Sequence, residues 1–214
     1  MPNTPTLAAF DFDGTISTSD SLRAFVHGLV GQGRFATGAL RSSPWLAGAW
    51  AGVCNRGTAK AQFLSATIGG MARRELEDAA RHFATHELPK MIRPEMLDRV
   101  REHKRRGHRL VLVSASPSLY LNVWAAQAGF DAVLATELAF TDDRFTGHLA
   151  SPNCWGPQKV VRLKQWLGDG ERPATVYAYG DSRGDREMLA WADRPWLRGD
   201  GNALPPLPPH GADH

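Results

Sequence analysis

Asp11-Phe12-Asp13-Gly14-Thr15 sets two carboxylates two residues apart at the end of a short apolar run, 6–12. Such a run reads as a buried parallel strand opening into a loop, and alternation sends residues i and i+2 to one face unless the chain is already turning. They are neighbours either way. Neighbouring carboxylates repel, so one is costly to ionise unless a cation or proton is shared, which is how a metal site, or a nucleophile with its acid–base partner, is built. Taken alone, the same letters could form a turn or cap a helix. A second acidic group, Gly180-Asp181-Ser182-Arg183-Gly184-Asp185, follows the apolar run 175–179 and precedes a helix expected over 187–192; alone, it too could be a cap. Ser114 ends a third apolar run, 109–113, and Lys159 starts a helix expected over 159–167. One hydroxyl, one ammonium and four carboxylates converging on one sheet edge outline a phosphate and divalent-metal site.

The elements that must bring these groups together are legible in the periodicity. From 95 onward strands and helices alternate: a helix over 95–106 closed by Gly107, a helix over 120–128 ending at Gly129, and a strand pair, 132–139 with 144–149, around Thr141-Asp142-Asp143. This alternation predicts an α/β fold, a doubly wound, mostly parallel sheet with right-handed crossovers. Residues 20–90 switch to helical spacing, with Leu22, Phe25, Val26, Leu29 and Val30 on one stripe and Phe63, Leu64 and Ile68 beginning another, so they read as a helical insertion. The tail 201–214 is rich in proline and is expected to be mobile.

Composition narrows the function classes. A chain of 214 residues is one domain, or one domain carrying an insertion, and 43% hydrophobic with 22% charged residues excludes global disorder. The formal charge of +3 suits a small anion but falls short of a dedicated nucleic-acid binder, so no nucleic acid is expected as partner. Cys54 and Cys154 form neither a CxxC pair nor a disulfide framework, and no basic segment precedes the first apolar run; a reduced cytoplasm is the expected compartment. The uncharged stretch 110–130 is interrupted by Ser114-Ala115-Ser116-Pro117-Ser118, and 42–55 is too short to cross a bilayer untilted. Contact with a membrane surface stays open but is not favoured, and no oligomeric state is assigned.

The groups Asp11-Phe12-Asp13-Gly14-Thr15, Val113-Ser114-Ala115-Ser116, Lys159 and Gly180-Asp181-Ser182-Arg183-Gly184-Asp185 resemble, in order and spacing, the four motifs of the haloacid dehalogenase superfamily of phosphohydrolases. The insertion between the first two motifs resembles the helical C1-type cap of its phosphoserine-phosphatase-like branch, and 153–159 resembles the stretch before the lysine in subfamily IB. The resemblance implies a Rossmann-like core over 1–16 and 91–200, a cap over 17–90, and Mg²⁺-dependent hydrolysis of a small phosphorylated substrate through an aspartyl-phosphate. It implies Asp11 as nucleophile, Asp13 as acid and base, and Ser114 and Lys159 on the phosphoryl group. It also implies Mg²⁺ on the side chains of Asp11 and Asp181 and the backbone carbonyl of Asp13, Asp185 in support, and Gly14, Thr15, Asp20, Ala115 and Ser116 toward the substrate. Alternatives are a lipid-phosphate phosphatase at a membrane surface, a phosphotransferase, and a non-catalytic phosphate-binding module.

Weaker signals take structural readings. Asp20 stands where that branch carries a glutamate for the substrate amino group, but an N-cap for the following helix is the favoured role. Arg23 and Arg56 read as solvated surface. The basic run 103–109 complements a helix C-terminus. Cys154 reads as packing, and zinc is disfavoured. Trp45 and Trp50 are expected to pack inside the cap.

Overall fold

The middle strands of the sheet are short, apolar and buried on both faces, as a parallel sheet covered by helices requires. The computed structural model describes residues 6–168, 172–199, 201 and 203–209. In it β1 (Leu7–Phe10), β2 (Arg109–Pro117) and β3 (Ala132–Thr136) run side by side, while β4 (Leu138–Thr141) and β5 (Arg144–Leu149) form a separate antiparallel hairpin. β6 (Val176–Gly180) and β7 (Arg194–Leu197) complete the main sheet, of order β3-β2-β1-β6-β7 and parallel throughout. The chain steps outward from β1 to β3 and then returns to the other side of β1. Connections leaving in opposite directions open a crevice at the C-terminal ends of β1 and β6, where ligands bind in such sheets.

Seven α-helices are found among the described residues. Between β1 and β2 lie α1 (Ser21–Trp50), α2 (Arg56–Ile68) and α3 (Arg73–His82). α4 (Pro94–Arg105) and α5 (Ser118–Ala128) bury Met96, Val100, Leu121 and Trp124 against the sheet face that carries Ala8, Phe10, Leu112 and Tyr179. α6 (Pro157–Leu167) and α7 (Arg186–Trp191) bury Leu163, Met188 and Leu189 against the face of Leu7, Ala9, Val111 and Val113. Period-two alternation along each strand therefore feeds two apolar layers. α1 is broken at Gly31 (φ 73, ψ 170), a backbone conformation glycine adopts without steric cost. Asp20 caps α1, its Oδ1 accepting the Arg23 N–H at 2.9 Å, as the capping reading expected.

Three expectations need correction. The run 132–139 is not one strand: β3 joins the main sheet, whereas 138–141 pairs with β5 across Asp142 and Asp143, both at positive φ (48 and 56), the turn that matches strand twist. Periodicity cannot tell which sheet an apolar run will join. The hairpin packs on the helical insertion, with Gly70 N–H donating to Phe145 O at 2.9 Å and Phe145 N–H to Met71 O at 3.0 Å. The tail is not loose over 203–209: Leu207 is buried and the Pro205 and Pro208 carbonyls accept hydrogen bonds from Arg99 and Arg106. The rest of that expectation, at 202 and 210–214, lies outside the described residues. Trp45 and Trp50 are exposed, the latter by 87%; among the described residues α1 packs chiefly on α2, and these rings lie outside that contact.

Candidate active site

The first turn after β1 is shaped by two constraints. Phe12 is fully buried and meets the Trp124 ring edge-on at 5.1 Å, which pins the loop between the two aspartates. Gly14 has φ +82, and a Cβ there would lie 2.1 Å from Asp181 Oδ2. Only glycine lets the β1 loop come this close to the β6 loop.

The consequence is a dense polar cluster. The Lys159 ammonium donates to Asp11 Oδ1 and to Asp185 Oδ1, each at 2.5 Å, and all three side chains are buried. Thr15 Oγ1 stands 3.1 Å from Asp11 Oδ2 and 3.3 Å from Asp181 Oδ1. The other oxygen of Asp185 accepts the Ser182 N–H at 3.0 Å, the Ser182 hydroxyl at 2.9 Å and the Asp181 N–H at 3.2 Å, so this carboxylate also caps the turn that carries Asp181. The capping reading of the second acidic group holds, and the same carboxylate also belongs to the polar cluster.

Asp13 points elsewhere. Its Oδ1 accepts the Ser21 N–H at 2.7 Å, from the first turn of α1, and its Oδ2 accepts the Ser116 hydroxyl at 2.5 Å. Ser116 N–H in turn donates to Ser114 Oγ at 3.1 Å. Asp11, Asp13, Ser114 and Lys159 all line one cavity of about 610 Å³, together with Asp20, Ala115 and Ser116. Asp181 reaches the cluster through Thr15, and its carboxylate, with those of Asp11 and Asp185, offers oxygens within 4.8 Å of one another.

Charge explains what this cluster can hold. Burial pushes Asp11 up to about 8 against the pull of Lys159, and burial with the nearby Asp185 charge raises Asp181. Burial also works against the Lys159 charge, yet Asp11 and Asp185 hold its pKa above the ordinary lysine range. Three carboxylates facing one ammonium leave a surplus that a hard divalent cation would balance through oxygen ligands. The donor set fits Mg²⁺. Asp13 is raised by burial and by the Asp20 charge, partly offset by Ser116 and Ser21, which suits a carboxyl that must carry a proton.

Lys60 of α2 escaped the sequence reading. Its ammonium enters the same cavity from the insertion and donates to Ala115 O at 2.5 Å and Asn153 Oδ1 at 2.8 Å, and burial lowers it to about 8. Arg56, one turn earlier, lies over the Trp155 ring at 4.8 Å. The signal available was two cations four residues apart at a helix start. The expectation that disfavours zinc rests on there being no HxxxH spacing, and that premise is wrong: His82 and His86 have it, with ring centroids 4.7 Å apart, but among the described residues no third ligand joins them.

Comparison with known proteins agrees with this geometry. Residues 8–190 match the family model described as haloacid dehalogenase-like hydrolase. The chain is 38% identical over 199 residues to Protein CicA of Caulobacter vibrioides, covering 92% of this chain and 88% of that one. It is 25% identical over 197 residues to a histidinol-phosphatase of Neisseria meningitidis, covering 88% of each. A substrate-bound phosphoserine phosphatase shares the fold with a TM-score of 0.66 at 16% identity, over 92% of this chain and 87% of the other. The two aspartate loops, Ser114 of β2 and Lys159 of α6 all lie within the matched span, and the chain belongs to the haloacid dehalogenase-like hydrolase family.

Proposed function

We propose that this phosphatase hydrolyses the phosphomonoester of a small metabolite through an aspartyl-phosphate on Asp11. An Asp11 carboxylate oxygen attacks phosphorus in line, and the bond from phosphorus to the alcohol oxygen breaks. Asp13 gives its proton to that oxygen as it leaves. Asp13 then takes a proton from a water whose oxygen attacks the same phosphorus, the bond to Asp11 breaks, and inorganic phosphate departs. Lys159 screens the repulsion between Asp11 and the arriving dianion, and Ser114 donates to a phosphoryl oxygen. Gly14, Thr15, Ala115 and Ser116 border the phosphoryl group, and Asp20 faces the leaving alcohol.

Mg²⁺ would be held by the side chains of Asp11 and Asp181 and the backbone carbonyl of Asp13, with Asp185 orienting the site. When bound, it supplies Lewis-acid stabilisation of charge on the phosphoryl oxygens. The insertion 17–90 acts as a cap over the core 1–16 and 91–200, excluding bulk water during transfer and admitting one molecule for the second step. The reading places the reaction in the cytoplasm; among the described residues no helix is long and apolar enough to cross a membrane. The exposed Trp50 and Val53 favour a second reading, a lipid phosphate met at a membrane surface.

The observation that carries the proposal is the Lys159 ammonium locked between Asp11 and Asp185 at the floor of an open cavity. Release of phosphate from an aryl phosphate is expected with Mg²⁺, and is expected to vanish with chelator and in Asp11→Asn. Metal-independent release, or release by Asp11→Asn equal to that of the unaltered protein, overturns it.

A further inference from the structure

The cavity above Asp11 is larger than its phosphate-handling floor needs. At about 610 Å³ it is of the size that encloses drug-like ligands, ~300–1,000 Å³. Its floor is polar, while the insertion contributes an apolar wall, Phe35, Ala39, Leu46, Ala49 and Trp50 of α1 and Phe63 of α2, beside the cations Arg23, Arg56 and Lys60. Phe35 and Phe63 meet edge-on at 5.6 Å, forming a continuous aromatic wall.

Of the cations that the insertion brings to the cavity, Lys60 is bonded to Ala115 O and Asn153 Oδ1, while Arg56 lies over the Trp155 ring and the Arg23 guanidinium sits 5.9 Å from the Phe35 ring, both at exposed positions. The apolar groups at the mouth are open as well. Trp50 is 87% and Leu46 41% exposed while both line the same cavity as the nucleophile. An apolar surface continuous with a reactive centre gains by taking up apolar substrate atoms.

Resting on the phosphatase reading, we propose that the leaving alcohol carries an extended apolar body, which seats against Phe35, Leu46, Trp50 and Phe63 while its phosphate meets Asp11. These four residues are specificity-determining. A polar phosphorylated amino acid would leave the wall uncovered.

The test uses ethyl, butyl and octyl phosphate with the full chain and Mg²⁺, since the three alcohols are alike as leaving groups and differ in apolar length. Burial of a methylene corresponds to about a fourfold gain, so kcat/KM is expected to rise at least tenfold from ethyl to octyl. The octyl-to-ethyl ratio is expected to fall at least threefold in Trp50→Ala and in Leu46→Ala, both exposed positions that should not disturb folding. A parallel arm compares octyl phosphate below its micellar concentration with phosphatidic acid in phosphatidylcholine vesicles. Preference for the first assigns a free amphiphile and preference for the second a bilayer lipid, and either supports an apolar body. Equal turnover of ethyl and octyl phosphate with no turnover of the vesicles, or a chain-length preference unchanged by both variants, overturns this inference alone. Turnover of an aryl phosphate with none of any of these substrates also overturns this inference alone, whereas no turnover of the aryl phosphate either overturns the phosphatase reading beneath it.

Discussion

Two buried polar clusters flank the same pair of strands. At the C-terminal edge, Asp11, Asp181 and Asp185 gather around Lys159. Beneath the sheet, on the face covered by α4, the Tyr179 hydroxyl meets Arg99 Nη1 at 3.0 Å and His103 Nε2 at 2.8 Å, and His103 Nδ1 lies 2.7 Å from the Nδ1 of His108. Glu102 adds a carboxylate, 2.7 Å from Arg106 and 3.5 Å from Arg99. In this lower cluster Arg99 and Arg106 also donate to the Pro205 and Pro208 carbonyls, and the network braces α4 and the segment 203–209 against β6. The upper cluster has more negative charge than it can neutralise and opens on a cavity. Burial and hydrogen bonding are common to both; surplus charge beside open space belongs to the one proposed as the reaction centre.

The largest effect should come from removing the upper cluster's one ammonium. Lys159→Met leaves Asp11 and Asp185 buried without their cation, a loss of about 3–5 kcal/mol of stability by the usual cost of breaking a buried ion pair. Activity is expected to fall by ~10³-fold or more. Because the deficit is one of positive charge, Mg²⁺ should recover part of the stability, read as a rise in the urea midpoint. Tyr179→Phe in the lower cluster should cost about 1–3 kcal/mol through the unpaired Arg99 and His103, and Mg²⁺ should recover none of it. Equal responses of the two variants to Mg²⁺ would erase the distinction between the clusters.

A smaller effect should follow from pushing the two loops of the upper cluster apart. In Gly14→Ala the new Cβ competes with Asp181 Oδ2 for one position, and φ +82 adds backbone strain. A displacement of about 1 Å at a reacting centre can cost ~10²-fold in rate, so kcat/KM should drop on that order. The Mg²⁺ concentration needed for half-maximal activity should rise alongside it. A Gly14→Ala enzyme with unchanged metal requirement would show that the close approach of the two loops is incidental.

The upper cluster was legible in the sequence because two of its loops follow strand ends whose apolar runs are unambiguous: Phe10 leads to Asp11 and Gly180 to Asp181, whereas β2 runs on through Ser114 to Pro117, past the end its apolar run suggests. Alternation of strands and helices then placed those ends on one edge. Nothing comparable announced the lower cluster. In the sequence His103 belongs to a cationic run at a helix end, yet it is fully buried, and burial together with His108, Arg99 and Arg106 lowers it to about 2. A histidine one turn from three basic residues looks solvated until the tertiary fold turns it inward. Trp50 runs in the opposite direction, since its size argues for burial, yet at the last residue of α1 it is 87% exposed at the cavity mouth. Lys60 depended on α2 meeting the 153–155 loop, a contact between segments ~90 residues apart that no local pattern encodes.

The inward turn of His103 also yields the smallest of the expected effects. Its folded-state pKa lies near 2 and its ordinary value near 6.5, so between those limits only the unfolded chain takes up the proton. The stability this group contributes is complete above pH ~6.5 and is lost as pH falls, at about 1.4 kcal/mol per unit. Between pH 7.5 and 5.5 the unaltered protein should therefore lose about 1.4 kcal/mol that His103→Gln does not, measured as the difference in their urea unfolding free energies at the two values. The lower cluster would then be a source of acid sensitivity that has no counterpart in turnover. If the two proteins lose stability in parallel, His103 is charged in the fold, and the lower cluster is no more balanced than the upper.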